Sequence, residues 1–259
     1  MMYISTIITV ISLILILLAY YGIIRYCKIC YTKDCKCMSE SYTKLPRVES
    51  KSKVVVSMYS TSDDIGKNNT IKSILDQTVH PDQIILVTDK DTSIPDFLKK
   101  DSIVVKQATD GFGKISALTV PLKTQKDSKT KIIVITDGVV YGPDFIESIV
   151  EESENNPDAI IFVEGYNSKE FVKGKLSSKN IDVVNVSSGI LITPALFKEY
   201  LEPKSTIISN APNAFISAMI LKNKLKIKQL HYGENFHDKP KITLDEKTSL
   251  EYFAQYYNL

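Results

Sequence analysis

Lys131-Ile132-Ile133-Val134-Ile135-Thr136-Asp137-Gly138 is an apolar run that ends in a carboxylate and a glycine. Apolar residues without polar alternation predict a strand that is buried on both faces of a parallel sheet. The residues that follow carry Pro143 at the first turn of a predicted helix over residues 143–154. Since ligands of open α/β sheets bind outside the carboxyl ends of the strands, Asp137 is predicted to lie where a ligand would bind.

Segments of the same two kinds recur on both sides of this strand. Further strands are predicted at residues 53–58, 83–87, 102–106, 159–163 and 226–230, and helices at residues 69–77, 114–124, 211–222 and 250–257. Residues 183–193 predict a bent strand or a strand pair, broken at Ser187-Ser188-Gly189. Apolar strands that alternate with helices predict an α/β domain, with a mostly parallel sheet covered on both faces. We place this domain at residues 53–259 and expect Val54–Val56, Ile84–Val87 and Ile132–Ile135 to be neighbouring central parallel strands.

The amino-acid composition and the net charge argue against several classes of function. The chain has 259 residues, of which 44% are hydrophobic and 24% charged, which suits one globular domain beside a short N-terminal segment. A formal net charge of +2 gives no basis for a nucleic-acid partner. Three histidines and a predicted domain without cysteine leave little for a His-based triad or a structural zinc site.

The N-terminal segment has the pattern of a membrane anchor. Residues 3–24 carry no charge, and a helix of that length reaches about 33 Å, enough to cross a hydrocarbon core. A cleaved signal peptide is the alternative, but it normally has a basic start and a shorter apolar run. We therefore predict a retained single-pass transmembrane anchor over residues 1–26.

Basic residues after the apolar segment bear on its orientation. Arg25, Lys28, Lys33 and Lys36 follow it closely, and the positive-inside rule then places the large domain in the cytosol. A lumenal domain stays open as the alternative. Asn68 and Asn185 begin N-glycosylation sequons, which only a lumenal domain would use.

All four cysteines lie in the juxtamembrane segment and linker that we assign to residues 27–52. They are Cys27, Cys30, Cys35 and Cys37. Cysteines beside basic residues next to a membrane suit S-palmitoylation on the cytosolic face. Four thiolates could instead bind Zn²⁺, and a lumenal location would allow disulfides.

Several phrases, taken together, resemble a GT-A glycosyltransferase of the family 2 type. The phrases are Val54-Val-Val-Ser-Met-Tyr-Ser-Thr61, Ser73-Ile-Leu-Asp-Gln-Thr78, His80-Pro-Asp-Gln-Ile-Ile-Leu-Val-Thr-Asp89, Gly111-Phe-Gly-Lys114, Ile132 to Ile146, and Ser187-Ser-Gly-Ile-Leu-Ile-Thr-Pro-Ala-Leu-Phe197. The likeness covers roughly residues 53–225. It implies a GT-A-like, Rossmann-like sheet and transfer of a sugar from a nucleotide-sugar donor, such as a UDP- or GDP-sugar.

The resemblance also implies a site. Donor-binding positions would be Ser57, Asp89, Lys114 and Asp137, with a divalent metal, Mn²⁺ or Mg²⁺, held against the diphosphate. Asp137 would be the metal ligand and the catalytic carboxylate, and His237 in a late loop would be a further metal ligand.

The chain departs from the family pattern at two places. The family's Asp-x-Asp motif is reduced here to Thr136-Asp137-Gly138, which leaves one of the carboxylates that hold the metal. The family's general base would fall within residues 209–215, and that stretch contains no acid. Two functions therefore stay open: a membrane-anchored glycosyltransferase, and a catalytically inactive GT-A-fold protein used for binding or membrane-associated assembly.

Overall fold

The structure is a computed structural model that describes residues 11–14, 50–61, 69–88, 96–98, 102–108, 112–167, 181–197 and 211–232. The chain divides into two units, residues 1–45 and 46–259. Within the first unit residues 11–14 are helical, and the rest of the predicted anchor and all four cysteines lie outside the described residues. Of the helices in the described part of the chain, none is long and apolar enough to span a bilayer.

The second unit alternates strands and helices. Its strands are β1 (Val54–Ser60), β2 (Gln83–Thr88), β3 (Ile103–Gln107), β4 (Lys131–Thr136), β5 (Ala159–Phe162), β6 (Gly165–Tyr166), β7 (Val183–Val184), β8 (Ile190–Ile192) and β9 (Lys226–Gln229). Its helices are α1 (Asn69–Leu75), α2 (Ser116–Thr124), α3 (Phe145–Asn155) and α4 (Pro212–Lys222). Short 3-10 turns lie at Asp96–Leu98, Gly113–Ile115, Val186–Ser188 and Pro194–Leu196.

Seven strands form one mostly parallel sheet in the order β3-β2-β1-β4-β8-β5-β9. Strand β1 pairs in parallel with β2 on one side and β4 on the other, so the three predicted central strands are parallel neighbours, as expected. Strand β8 runs antiparallel between β4 and β5, while β9 is parallel to β5. The prediction of an α/β domain with a mostly parallel sheet is confirmed.

Helices cover both faces of this sheet. On one face, Phe145 and Ile149 of α3 and Ile71 of α1 pack with Val56 and Ile133. On the other face, α2 and α4 pack against β4, β5 and β8 through residues that include Leu118, Phe215, Val134, Phe162 and Ile190. The central strands are buried from both sides, which explains why their sequences lack polar alternation.

The second half of the domain mixes parallel and antiparallel strand pairs. Residues 183–193, predicted as a bent strand or a strand pair, form two strands, β7 and β8, separated by the turn Val186–Ser188. Strand β7 pairs with β6 in a separate two-stranded sheet, and β8 joins the main sheet. The predicted terminal helix over residues 250–257 lies outside the described residues.

Candidate functional site

Asp137 lies at the carboxyl edge, by which we mean the edge of the main sheet where β1, β2, β3, β4 and β5 end. It directly follows β4, next to the last residue of β1, because Tyr59 and Thr136 pair in the sheet register. The Ser60 hydroxyl donates a hydrogen bond of 2.5 Å to Oδ2 of Asp137, and the backbone N–H of Gly138 donates one of 2.7 Å to Oδ1. These bonds fix the orientation of a partly exposed carboxylate.

The chain turns sharply after Asp137 because Gly138 adopts a φ of 84°, a conformation that favours glycine. Gln77, which is fully buried two residues beyond α1, holds the loop that follows Gly138. Its side-chain amide donates to the carbonyl of Gly142 at 2.6 Å and accepts from the N–H of Ile146 at 2.9 Å. The loop after β4 is thereby tied to the segment that follows α1.

Tyr141 connects β4 with the turn that precedes β8. Its buried hydroxyl accepts from the N–H of Thr136 at 3.3 Å and donates to the carbonyl of Ser187 at 2.8 Å. Burial raises the pKa of Tyr141, and the charge of Asp137 adds to the increase. The hydroxyl therefore stays protonated at neutral pH and acts as a structural donor.

The Val186–Ser188 turn carries this network on to Glu164, two residues beyond β5. Asn185, 1% exposed, accepts from the N–H of Ser187 at 3.2 Å and donates through its side-chain amide to Oε2 of Glu164 at 3.3 Å. The N–H of Glu164 donates to the Ser188 hydroxyl at 3.1 Å. A continuous set of hydrogen bonds thus joins the end of β4 to the half-buried carboxylate of Glu164, whose pKa is raised by burial.

The burial of Asn185 also determines whether the sequon that begins at this residue can be glycosylated. A glycan on its side-chain nitrogen would replace the hydrogen bond to Glu164 and would have no space in the buried turn. Glycosylation of Asn185 is therefore incompatible with this fold. Asn68, the other sequon asparagine, lies outside the described residues.

Of the remaining predicted donor-binding positions, the structure describes Ser57 and Lys114. Ser57 is fully buried in the middle of β1, where it pairs with Ile85 and Val134, so it lies inside the sheet and not at the carboxyl edge. Lys114 is exposed on the Gly113–Ile115 turn that leads into α2. Asp89 and His237 lie outside the described residues.

Few candidate metal ligands lie near Asp137 within the described ranges of the chain. Among the described residues, no group of three or more His, Cys, Asp or Glu side chains could hold a metal ion. Asp137 supplies one oriented carboxylate within the described part of the chain, and Mg²⁺ is a cation that commonly takes one or two carboxylates and completes its shell with phosphates and water.

Ser60, Gln77, Tyr141 and Glu164 were not singled out by the sequence. For Glu164 a signal existed, because Ile160-Ile161-Phe162-Val163-Glu164-Gly165 repeats the order of apolar strand, acid and glycine seen at Asp137. The other three act through contacts between residues far apart in the chain, which single-sequence patterns do not show. Comparison with protein-family models and with curated proteins finds no match to the chain.

Proposed function

We propose that the chain binds a nucleotide-sugar at the carboxyl edge and acts as a membrane-anchored, GT-A-like glycosyltransferase. The observation that carries the proposal is Asp137, an oriented and partly exposed carboxylate directly after a central parallel strand. Open α/β sheets bind their ligands at this edge. The resemblance of residues 53–225 to family 2 glycosyltransferases supplies the class of ligand.

Each group at this edge has a part in the proposed binding. A divalent cation shared between Asp137 and the diphosphate would offset the negative charge that develops on the leaving nucleotide. Ser60 would keep the carboxylate turned toward the cation. Lys114, exposed at the start of the turn before α2, is available as a phosphate contact if the donor extends over that turn.

A catalytically inactive binding protein is the second candidate. It is favoured by the reduced metal motif and by the start of α4, where residues 211–215 carry Asn213 but no acid. Asn213 is itself engaged in the fold, since its side-chain carbonyl accepts from the N–H of Val186 at 2.8 Å. Donor binding without turnover would identify this second function.

Calorimetric titration of the full-length chain in detergent tests the proposal. UDP-glucose and GDP-mannose are titrated with and without Mn²⁺, in the wild type, in Asp137→Asn and in Asp158→Asn. Asp158 is a matched control because it is an exposed acid that precedes β5, at the opposite edge of the sheet. We expect Mn²⁺ to tighten binding of one donor about tenfold or more, equivalent to about 1.4 kcal/mol, in the wild type and the control only.

If Asp137→Asn leaves both donor affinity and the Mn²⁺ response unchanged, the carboxyl edge is not used in this way. Absence of binding by any variant would remove the nucleotide-sugar proposal altogether.

A further inference from the structure

Asp137 and Glu164 stand at the same edge of the sheet, on either side of β8. Val134 of β4 and Phe162 of β5 both pair with Ile190, so these two residues are level across the sheet. Asp137 then lies three residues beyond that level and Glu164 two. With two strand spacings of about 4.8 Å and a rise of about 3.3 Å per residue, their Cα atoms are about 10 Å apart.

The surroundings of Glu164 differ from those of a structural acid. Among the described residues, its carboxylate has a single hydrogen-bond partner, the neutral amide of Asn185 at 3.3 Å. The two ion pairs found within the described part of the chain, Lys226–Asp158 and Lys228–Glu152, do not involve it. A half-buried carboxylate that has no cation beside it lowers the stability of the folded state, because its charge is partly removed from water. Such groups concentrate at functional sites.

The backbone around Glu164 is nevertheless firmly held. Its N–H donates to the Ser188 hydroxyl at 3.1 Å, and its carbonyl accepts from the N–H of Asn185 at 2.8 Å. Glycine at position 165 is required by close packing, since a Cβ there would lie 2.7 Å from the carbonyl oxygen of Val183. The backbone that carries Glu164 is thus held in place by hydrogen bonds and packing. This is expected of a group that must lie close to a reacting atom.

We infer that Glu164 is the general base that deprotonates the acceptor hydroxyl in the proposed sugar transfer. The inference rests on the proposed function. As the acceptor oxygen forms its bond to the anomeric carbon, its proton passes to a carboxylate oxygen of Glu164. The bond from the anomeric carbon to the diphosphate breaks at the same time, and its electron pair leaves with the nucleoside diphosphate. Glu164 then returns the proton to solvent.

The positions of the two acids fit two separate roles, with Asp137 at the diphosphate and Glu164 at the acceptor. With the diphosphate at Asp137, the anomeric carbon is two bonds from the β-phosphorus and is displaced along the edge. In the proposed arrangement the acceptor would approach from the β8 side, where the Cα atom of Glu164 lies about 10 Å from that of Asp137. Neither Tyr141, whose hydroxyl is buried and bonded, nor Asn213 can take a proton in this role.

The test separates donor binding from turnover in the full-length chain. UDP-glucose, UDP-N-acetylglucosamine and GDP-mannose are the donors, water is the acceptor, and release of nucleoside diphosphate is measured beside calorimetric affinity. The variants are Glu164→Gln, which keeps the size and an acceptor for Asn185, Glu164→Asp, and Glu151→Gln as an exposed control on α3. Melting temperatures show whether each variant is folded.

We expect Glu164→Gln to bind donor within about twofold of wild type and to release nucleoside diphosphate at least about 100-fold more slowly. Glu164→Asp should keep part of the rate, and Glu151→Gln all of it. Turnover by Glu164→Gln within threefold of wild type would overturn the inference, as would donor binding by a wild type that shows no turnover. If no variant binds donor, the proposed function fails first, and the inference falls with it.

Discussion

Tyr141 joins β4 to the turn that precedes β8 through one buried hydroxyl. The hydroxyl bonds the N–H of Thr136 and the carbonyl of Ser187, and its removal leaves both backbone groups without this partner. We expect Tyr141→Phe to lower the free energy of unfolding by about 2 kcal/mol. Tyr232→Phe is the control, since that hydroxyl bonds the exposed Asp144 and its loss should matter much less. Urea unfolding measures both, and equal losses would contradict the account of Tyr141.

Glu164 is expected to reduce stability at neutral pH. Burial raises the pKa of Glu164, so the folded state binds its proton more tightly than the unfolded state does. Stability from this group is therefore highest below the unfolded pKa of about 4.3 and falls as the pH rises through the folded pKa. Because the group is half-buried and partly screened, the change should stay below about 1 kcal/mol.

Unfolding of wild type and Glu164→Gln, compared at pH 4 and pH 7, isolates that contribution. Other acids titrate alike in both proteins and cancel in the difference. We expect the variant to gain stability relative to wild type as the pH rises. A difference that is constant, or that changes in the opposite direction, would show that the Glu164 carboxylate is not destabilised in the fold.

At the level of secondary-structure elements, the close approach of α3 to the sheet depends on one of two glycines with positive φ. Gly189, just before β8, has a φ of 98°, and a Cβ there would lie 2.5 Å from Cζ of the fully buried Phe145. Gly138 has a φ of 84°, but a Cβ there would meet no atom within 4 Å. Substitution of each glycine by alanine therefore distinguishes the cost of backbone strain, which arises at both positions, from that of steric overlap, which arises only at Gly189.

We expect Gly138→Ala to lower the unfolding free energy by about 1 kcal/mol, from backbone strain alone. Gly189→Ala should lower it by about 3 kcal/mol or more, because Phe145 must also move. Thermal unfolding followed by circular dichroism orders the two variants. If Gly138→Ala proves as damaging as Gly189→Ala, then the close packing of α3 on β8 is not what makes Gly189 necessary.

The strands were predictable because burial on both faces leaves uninterrupted apolar runs, as in β1, β2 and β4. The side-chain network at the carboxyl edge was not, since its bonds join residues such as Tyr141 and Ser187 that lie far apart in sequence. Ser57 illustrates the same limit. The family resemblance implied a donor contact at Ser57, whereas this residue is fully buried in the middle of β1.

At the scale of the whole molecule, the basic residues after the apolar N-terminal segment predict a cytosolic domain. Protease added to intact microsomes should therefore degrade the domain. Asn68 is the informative sequon for this test, because glycosylation at Asn185 is incompatible with the fold. A domain that survives protease, or that carries a glycan at Asn68, would establish the lumenal orientation.

We propose that a nucleotide-sugar binds at the carboxyl edge through a cation on Asp137. A crystal structure of the chain with Mn²⁺ and the donor that binds most tightly, recorded for anomalous scattering by manganese, tests it directly. We predict a manganese peak at about 2.1 Å from a carboxylate oxygen of Asp137, bridged to the diphosphate. A donor bound away from this edge, or a manganese ion held without Asp137, would contradict the account.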